Sequence, residues 1–353
     1  MPTAPPNRSQ EGLISDPTAD VSALPQLQIA IGVALCIASA VFLAVGLHLW
    51  FASNQRECHQ PLLRRWRWWL GFLFATVLVL LSDGVSYALL PLALIVPLSV
   101  LPIFVSVILT ASGCSGQDEA LEPPDYWATF AMTAGATCVA CVAVSTGEQV
   151  SPLGELRSIM MPPSTWVLVA IVALCDVAWV VLPRFAPATH DAWLTGAAGT
   201  IASALLAACS GGVSDVVVGC ASDLVRAALL GGRALHDARL SDWAAGAGAV
   251  ALLLLFGTLQ LLVLQQLLAR GRSVGLAVPA YVALHVLVHV GVGAGVLREL
   301  EVHRTVLSTA LCAAGVSLVV AGLALLAHRH DERRRTRKQQ VPDLDQPAPS
   351  TAA

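Results

Sequence analysis

The sequence predicts an all-α, polytopic membrane fold with about nine transmembrane helices and an inverted internal repeat. Three observations carry that expectation. Of 353 residues, 56% are hydrophobic and only 12% charged, with a mean hydropathy of +0.72; a soluble domain carries roughly 25% charged residues. Uncharged windows recur from residue 27 to residue 327, and about 20 such residues cross ~30 Å of hydrocarbon as a helix. Finally, "IVPLSVL" around Pro97 and "AVPAYVA" around Pro279 put a proline in the first turns of two long apolar segments.

Taken in chain order, residues 1–26 are polar and proline-containing, so they read as a disordered tail without a cleavable signal, and the first span does the targeting. Hydrophobic windows and punctuation then give spans at 27–51, 68–90, 92–111, 127–146, 164–184, 192–210, 243–268, 274–297 and 305–327. Pro91 reads as the hairpin point between the second and third spans, which leaves Pro97 and Pro102 inside the third. The segment from Gly211 to Asp242 has apolar residues at helical spacing, with Asp215, Asp223 and Arg226 between them. It reads as a helical loop that shields the bundle, lies on the membrane surface or extends the sixth helix. Residues 328–353 open with "HRHDERRRTRK", a basic run that stop-transfer charge alone explains, with binding to anionic lipid as the alternative, and continue as a disordered tail. The acidic loop of Asp118, Glu119, Glu122 and Asp125 has no base near it in sequence and reads as solvated.

Nine spans put the termini on opposite sides. The side with the first loop and the C-terminal tail holds 13 of the 20 Lys and Arg, including Arg56, Arg64, Arg65 and residues 333–335. The positive-inside rule makes that side cytoplasmic and the N-terminus outside or lumenal. Asn7-Arg8-Ser9, a glycosylation sequon, lies on the outer side. The nine cysteines are scattered, mostly within apolar segments, so no disulfide framework is expected. Cys138 and Cys141 read as small packing residues.

The repeat accounts for the prolines. With Pro97 over Pro279, and Glu119 over Glu299, Gly135 falls over Gly315. The third and fourth spans thus resemble the eighth and ninth, and an odd number of crossings between the units inverts one relative to the other. Inverted repeats with interrupted helices are a transporter signature. A proline in a span frees a carbonyl that must be bonded internally or line a watery cavity, so Pro97 and Pro279 are placed on a central path.

The chain also resembles the NIPA family of magnesium transporters, a nine-span branch of the drug/metabolite transporter superfamily. "GVALCIASAVF" at 32–42 is similar to the family's first span, and "RRWRWWLGFL" at 64–73 to its tryptophan-rich second start. "YALLPLALIVPLSVLPIFVSVILTAS" is similar to its second-to-third hairpin, "VVLPR" at 180–184 to the end of its fifth span, and "SVGLAVPAYVALHVLVHVGVGAGVLRE" to its eighth. The likeness covers nearly all of 27–327 and implies the fold and transport of a divalent cation, magnesium in the family. The departures are local. The family's acid or glutamine and following asparagine in the second span fall on Leu80 and Asp83, which moves the carboxylate by about one turn. Its sixth-span lysine falls on Ala207, and its Asn-Lys/Arg pair on Gln266 and Leu267.

The polar residues within the spans are the candidate site. An acid at the bilayer centre costs about 2.5–3.5 kcal/mol on insertion scales, which marks Asp83 and Asp176 for function. Mg²⁺ takes oxygen ligands but keeps several waters, so these two carboxylates suffice as its metal-binding pair; proton coupling is the competing use of the same acids. Tyr87 stands one turn after Asp83 on the same helix face. Tyr281, His285 and His289 form a stripe at i, i+4 and i+8, suited to a softer cation such as zinc or to proton transfer. Gln260 adds a polar group to the seventh span; such groups more often join helices.

These residues contain no phosphate loop, His-Glu-x-x-His site or Ser/His/Asp set in a plausible context, so an enzyme is not expected. No resident cofactor and no nucleic-acid partner are expected, and the partners are the bilayer and a divalent cation, with a homo-oligomer left open. The expected location is a multi-pass protein of the plasma or endosomal membrane. A drug/metabolite-type carrier of a small organic solute and a non-transporting membrane scaffold stand as alternatives.

Overall fold

The structure, a computed structural model, describes residues 23–90, 92–113, 121–144, 163–185, 196–230, 240–270, 273–296 and 306–340. The expectations for Pro91, the Glu119/Glu299 pair, Asp118 and the Asn7 sequon lie outside these residues. The described chain is helical throughout, with no strand among the described residues.

Its helices are α1 (Ala23–Arg56), α2 (Trp66–Leu89), α3 (Leu92–Leu98), α4 (Leu101–Ala111) and α5 (Pro123–Val144), followed by α6 (Pro163–Phe185), α7 (Ala197–Leu230), α8 (Leu240–Arg270), α9 (Val274–Val296) and α10 (Val306–Gln340). Six of them (α1, α2, α7, α8, α9 and α10) are long and apolar enough to cross a bilayer, and α4 and residues 169–182 of α6 are shorter apolar helices. The protein is therefore a helical chain with several helices long and apolar enough to cross a bilayer, compatible with integral membrane insertion.

The prolines behave differently from one another. The window 92–111 is not one helix: α3 ends at Leu98, Ser99 and Val100 form a turn, and Pro102 opens α4. Two prolines five residues apart remove too much of the backbone ladder for one helix to run through. Pro279, by contrast, stands in the second turn of α9, which continues unbroken to Val296. So near a helix start, a proline costs the ladder one bond only.

The core gathers around α7 and α9. α9 touches α1, α4, α5, α7, α8 and α10, and α7 packs most extensively on α9 and α8. Leu47, Trp50 and Phe51 of α1, Ile103 of α4, Met132 of α5 and Val319 of α10 converge on the buried side of α9, where Val274, Ala277, Ala280 and Ala283 are almost wholly enclosed. The outer surfaces of α1, α6, α8 and α10 expose large apolar side chains such as Ile37, Leu174, Leu254 and Val320. In a bilayer those surfaces face lipid tails.

α5 and α10 form the tightest pair. A Cβ on Gly135 would collide with the Gly315 carbonyl, and a Cβ on Gly315 would stand 2.7 Å from the Gly135 carbonyl. A Cβ on Gly322 would likewise stand 2.6 Å from the Ala128 carbonyl. Small residues at such a crossing let two backbones approach where lipid offers no hydrophobic drive for association.

The same two helices join outside this crossing. Arg329 pairs with Glu122 and Arg333 with Asp125, whose carboxylate also accepts the Glu122 N–H at 2.8 Å. Two members of the acidic loop thus have basic partners, from the run that continues α10 as a helix to Gln340. The start of α5 and the end of α10 therefore lie on one side of the bundle.

Candidate functional site

Two turns of α9 and the middle of α7 carry the densest group of polar side chains among the apolar helices. Spacing of four residues puts His285 and His289 on one stripe of α9, and Asp215 of α7 meets both. Its Oδ2 lies 2.7 Å from His285 Nε2 and 3.2 Å from His289 Nδ1. An ionised carboxylate only accepts hydrogen bonds, so each ring presents an N–H to that oxygen. Between 20% and 30% of these three side chains stays accessible, so they border open space and are not packed solid.

One turn earlier on α9, the Tyr281 hydroxyl accepts from Gln260 Nε2 of α8 at 2.5 Å, and its ring lies 5.5 Å from that of His285. Gly211 of α7 makes this convergence possible. A Cβ there would stand 2.5 Å from the His285 ring and 2.8 Å from Gln260 Nε2. Any larger residue at 211 would push α7 off the histidine stripe.

α2 packs on α7 and carries Asp83 within electrostatic range of Asp215 and His285, with its carboxyl paired to the Ser39 hydroxyl of α1. Tyr87, one turn on, faces Asp83, Asp215 and Cys36. Leu80 points elsewhere, with 45% of its surface exposed on the outer face. A carboxylate at Leu80 would meet lipid, while Asp83 meets the cluster, so only the second position serves a site in this chain.

The structure therefore joins Asp83, Tyr87, Gln260, Tyr281, His285 and His289, six of the residues singled out in the sequence, around Asp215. Pro279 lies two residues before Tyr281 in α9 and is buried. Pro97, in contrast, lies inside α3, whose main neighbours are α5 and α1. Asp176 of α6 has its own environment: it is fully enclosed, accepts the Ser210 hydroxyl of α7, and leaves Oδ1 without a hydrogen-bond partner among the described residues. Ser210 and Asp215 are five residues apart, about 140° around a helix. Asp176 and Asp215 thus engage different faces of α7.

Asp215 is the residue that sequence reading missed. It falls in the segment read as a shielding helical loop or an extension of the sixth helix, and the structure shows α7 continuing without a break to Leu230. A signal for it exists. Ala204, Ala207, Ala208, Gly211 and Gly212 form a run of small, buried residues that crosses the expected end at 210 and demands a close neighbour on both sides of it.

Among the described residues, no three His, Cys, Asp or Glu side chains are arranged to hold a metal ion as they stand. The donors of the cluster point at one another. No family model, curated protein or solved structure matches the chain.

Proposed function

We propose that this protein is a membrane transporter of divalent cations, working through a central path at the α2–α7–α8–α9 junction. The observation that carries the reading is the intramembrane group of Asp83, Asp215, His285 and His289, two acids and two imidazoles that converge from three helices. Ionisable groups in spanning helices are expensive and mark ion pathways, and these retain accessible surface. The NIPA resemblance supports the same class and implies magnesium as the cargo. The inverted repeat belongs to this proposal. Its support is the mutual contact of Gly135 and Gly315, the two glycines that the repeat makes equivalent, as a pseudo-two-fold axis between α5 and α10 would produce. Nine crossings, counting α3–α4, α5 and α6 with the six long helices, complete it.

Initial-rate uptake of Mg²⁺, Mn²⁺, Co²⁺ and Zn²⁺ into proteoliposomes tests the function. Asp83→Asn keeps the side-chain volume and removes the charge, and is expected to lower divalent flux about tenfold or more, as loss of one partner from a buried charged group does. Surface expression should not change. Undiminished flux in Asp83→Asn would take this residue out of the path, and absence of flux for every cation would favour the scaffold reading.

The orientation follows from the charges. The side holding Arg329 and Arg333 is cytoplasmic under the positive-inside rule, and the N-terminus is then outside or lumenal. Epitope tags at each end, stained with and without permeabilisation, should label the N-terminus on intact cells; staining of the C-terminus alone would reverse the topology.

A further inference from the structure

We infer that Asp215, His285 and His289 are the direct ligands of the transported cation, and that they select a late first-row transition cation over Mg²⁺. The inference rests on the transport reading above and names its substrate class. Three facts of the cluster carry it: the kind of donor atoms, their spacing and their charge.

Two of the three donors are imidazole nitrogens. Imidazole suits zinc, copper, iron and nickel, whereas carboxylate, carbonyl and water suit magnesium, calcium and manganese. Mg²⁺ also demands near-octahedral oxygen coordination and gives up its waters reluctantly. A stripe that presents nitrogen at two positions and a single carboxylate between them discriminates against it.

The spacing is close to that of a loaded site. In a tetrahedral site with metal–N and metal–O distances of about 2.0–2.2 Å, neighbouring donors stand roughly 3.3–3.5 Å apart. His289 Nδ1 is already 3.2 Å from Asp215 Oδ2, and His285 Nε2, at 2.7 Å, has to withdraw by roughly 0.6 Å to reach that separation. The hydrogen bonds that now join the donors occupy the place of the cation. On binding, each ring coordinates through the nitrogen that faces Asp215 and carries its proton on the other. For His285 that other atom is Nδ1, which has no partner among the described residues and lies against Gly211.

Charge completes the account. Asp83 faces Asp215 and His285 from α2, so two carboxylates offset a dication, which leaves a neutral complex in a low-dielectric setting. The other groups that face the cluster are Cys36 and Ser39 from α1, Tyr87 from α2, Gln260 from α8 and Tyr281 from α9. They add hydrogen-bonding capacity around the ligands without adding a cation.

Titration of the purified full-length chain with Co²⁺, followed by visible absorption, tests the inference independently of transport. One Co²⁺ per chain is expected, with the intense bands of tetrahedral nitrogen and oxygen ligation. Mg²⁺ in roughly 100-fold excess should fail to displace it. His285→Gln and His289→Gln keep size and polarity while replacing nitrogen donors, and each should weaken Co²⁺ binding by at least about tenfold, since even outer-shell partners are worth 10- to 100-fold. Size-exclusion profiles check that the variants fold. Co²⁺ binding unaffected by both variants, or displaced by equimolar Mg²⁺, would overturn the inference, and Mg²⁺ flux in liposomes would then leave the transport reading standing. Co²⁺ held at the cluster with no divalent flux at all would uphold the ligand assignment and overturn transport.

Discussion

Asp215→Asn is expected to lower cation flux by about two decades or more while the chain still folds. Loss of a direct cation ligand is expected to cost more than the roughly 10- to 100-fold that an outer-shell partner is worth, which sets the expected loss at about two decades or more. The residue is the shared acceptor of His285 and His289, so its charge positions both rings as well as facing the proposed path. Asparagine keeps the shape and one oxygen that can stand where Oδ2 meets both rings, but it removes the charge. The packing of α7 through Ala204, Ala207 and Ala208 does not involve the site, so thermal unfolding in detergent should shift little. Asp215→Glu, with the charge restored one methylene further out, should recover part of the flux. Flux equal to the parent in Asp215→Asn would make the cluster a structural tie between α7 and α9.

The contrast between Asp83 and Asp215 shows how far the sequence could be read. Asp83 stands inside an apolar window, where the cost of a charge marks it without any knowledge of its neighbours. Asp215 stands at the ragged end of a window, and hydropathy cannot separate a helix that leaves the membrane from one that runs on past its core. Helix windows were legible because burial in lipid imposes length and apolarity on every crossing. Long-range pairs were not. Glu122 and Asp125 looked unpartnered because Arg329 and Arg333 are more than 200 residues away, and only the crossing of α5 with α10 brings them together. The prolines fall between these cases: their positions were visible, and Pro97 and Pro279 each stand sixth in their helix, but only Pro97 is followed five residues later by another proline, and there the helix stops.

Gly135→Leu should be the most damaging substitution outside the polar cluster. At this crossing, even a methyl group would strike backbone atoms of α10: the Gly315 carbonyl, and the Val319 nitrogen at 2.8 Å. Backbone cannot rotate aside as a flexible side chain does. Overpacking costs about 1–3 kcal/mol in ordinary cores and more when backbone must shift, so a loss of about 3 kcal/mol or more is expected. The result should be an aggregated profile on size exclusion and little protein at the membrane. Gly135→Ala and Gly315→Ala should each cost less and combine non-additively, because the two glycines occupy one contact. A monodisperse Gly135→Leu protein with unchanged unfolding temperature would show that α5 and α10 do not meet here.

Within α2, the turns from Leu73 to Leu78 are wider than the α-helix that precedes and follows them. Such a π-turn holds one residue more than a regular ladder would over the same length. Each residue advances a helix by about 100°, so the extra one sets the angular phase of everything downstream. Tightened to regular α-helix, α2 would keep its first turns against α1 and swing Val79–Leu89 by about 100° about its own axis. Asp83 and Tyr87 would leave the Asp215 side together, as a rigid cam. A single wound or unwound turn, ending five residues before Asp83, thus sets whether the second carboxylate is engaged with the cluster or disengaged from it.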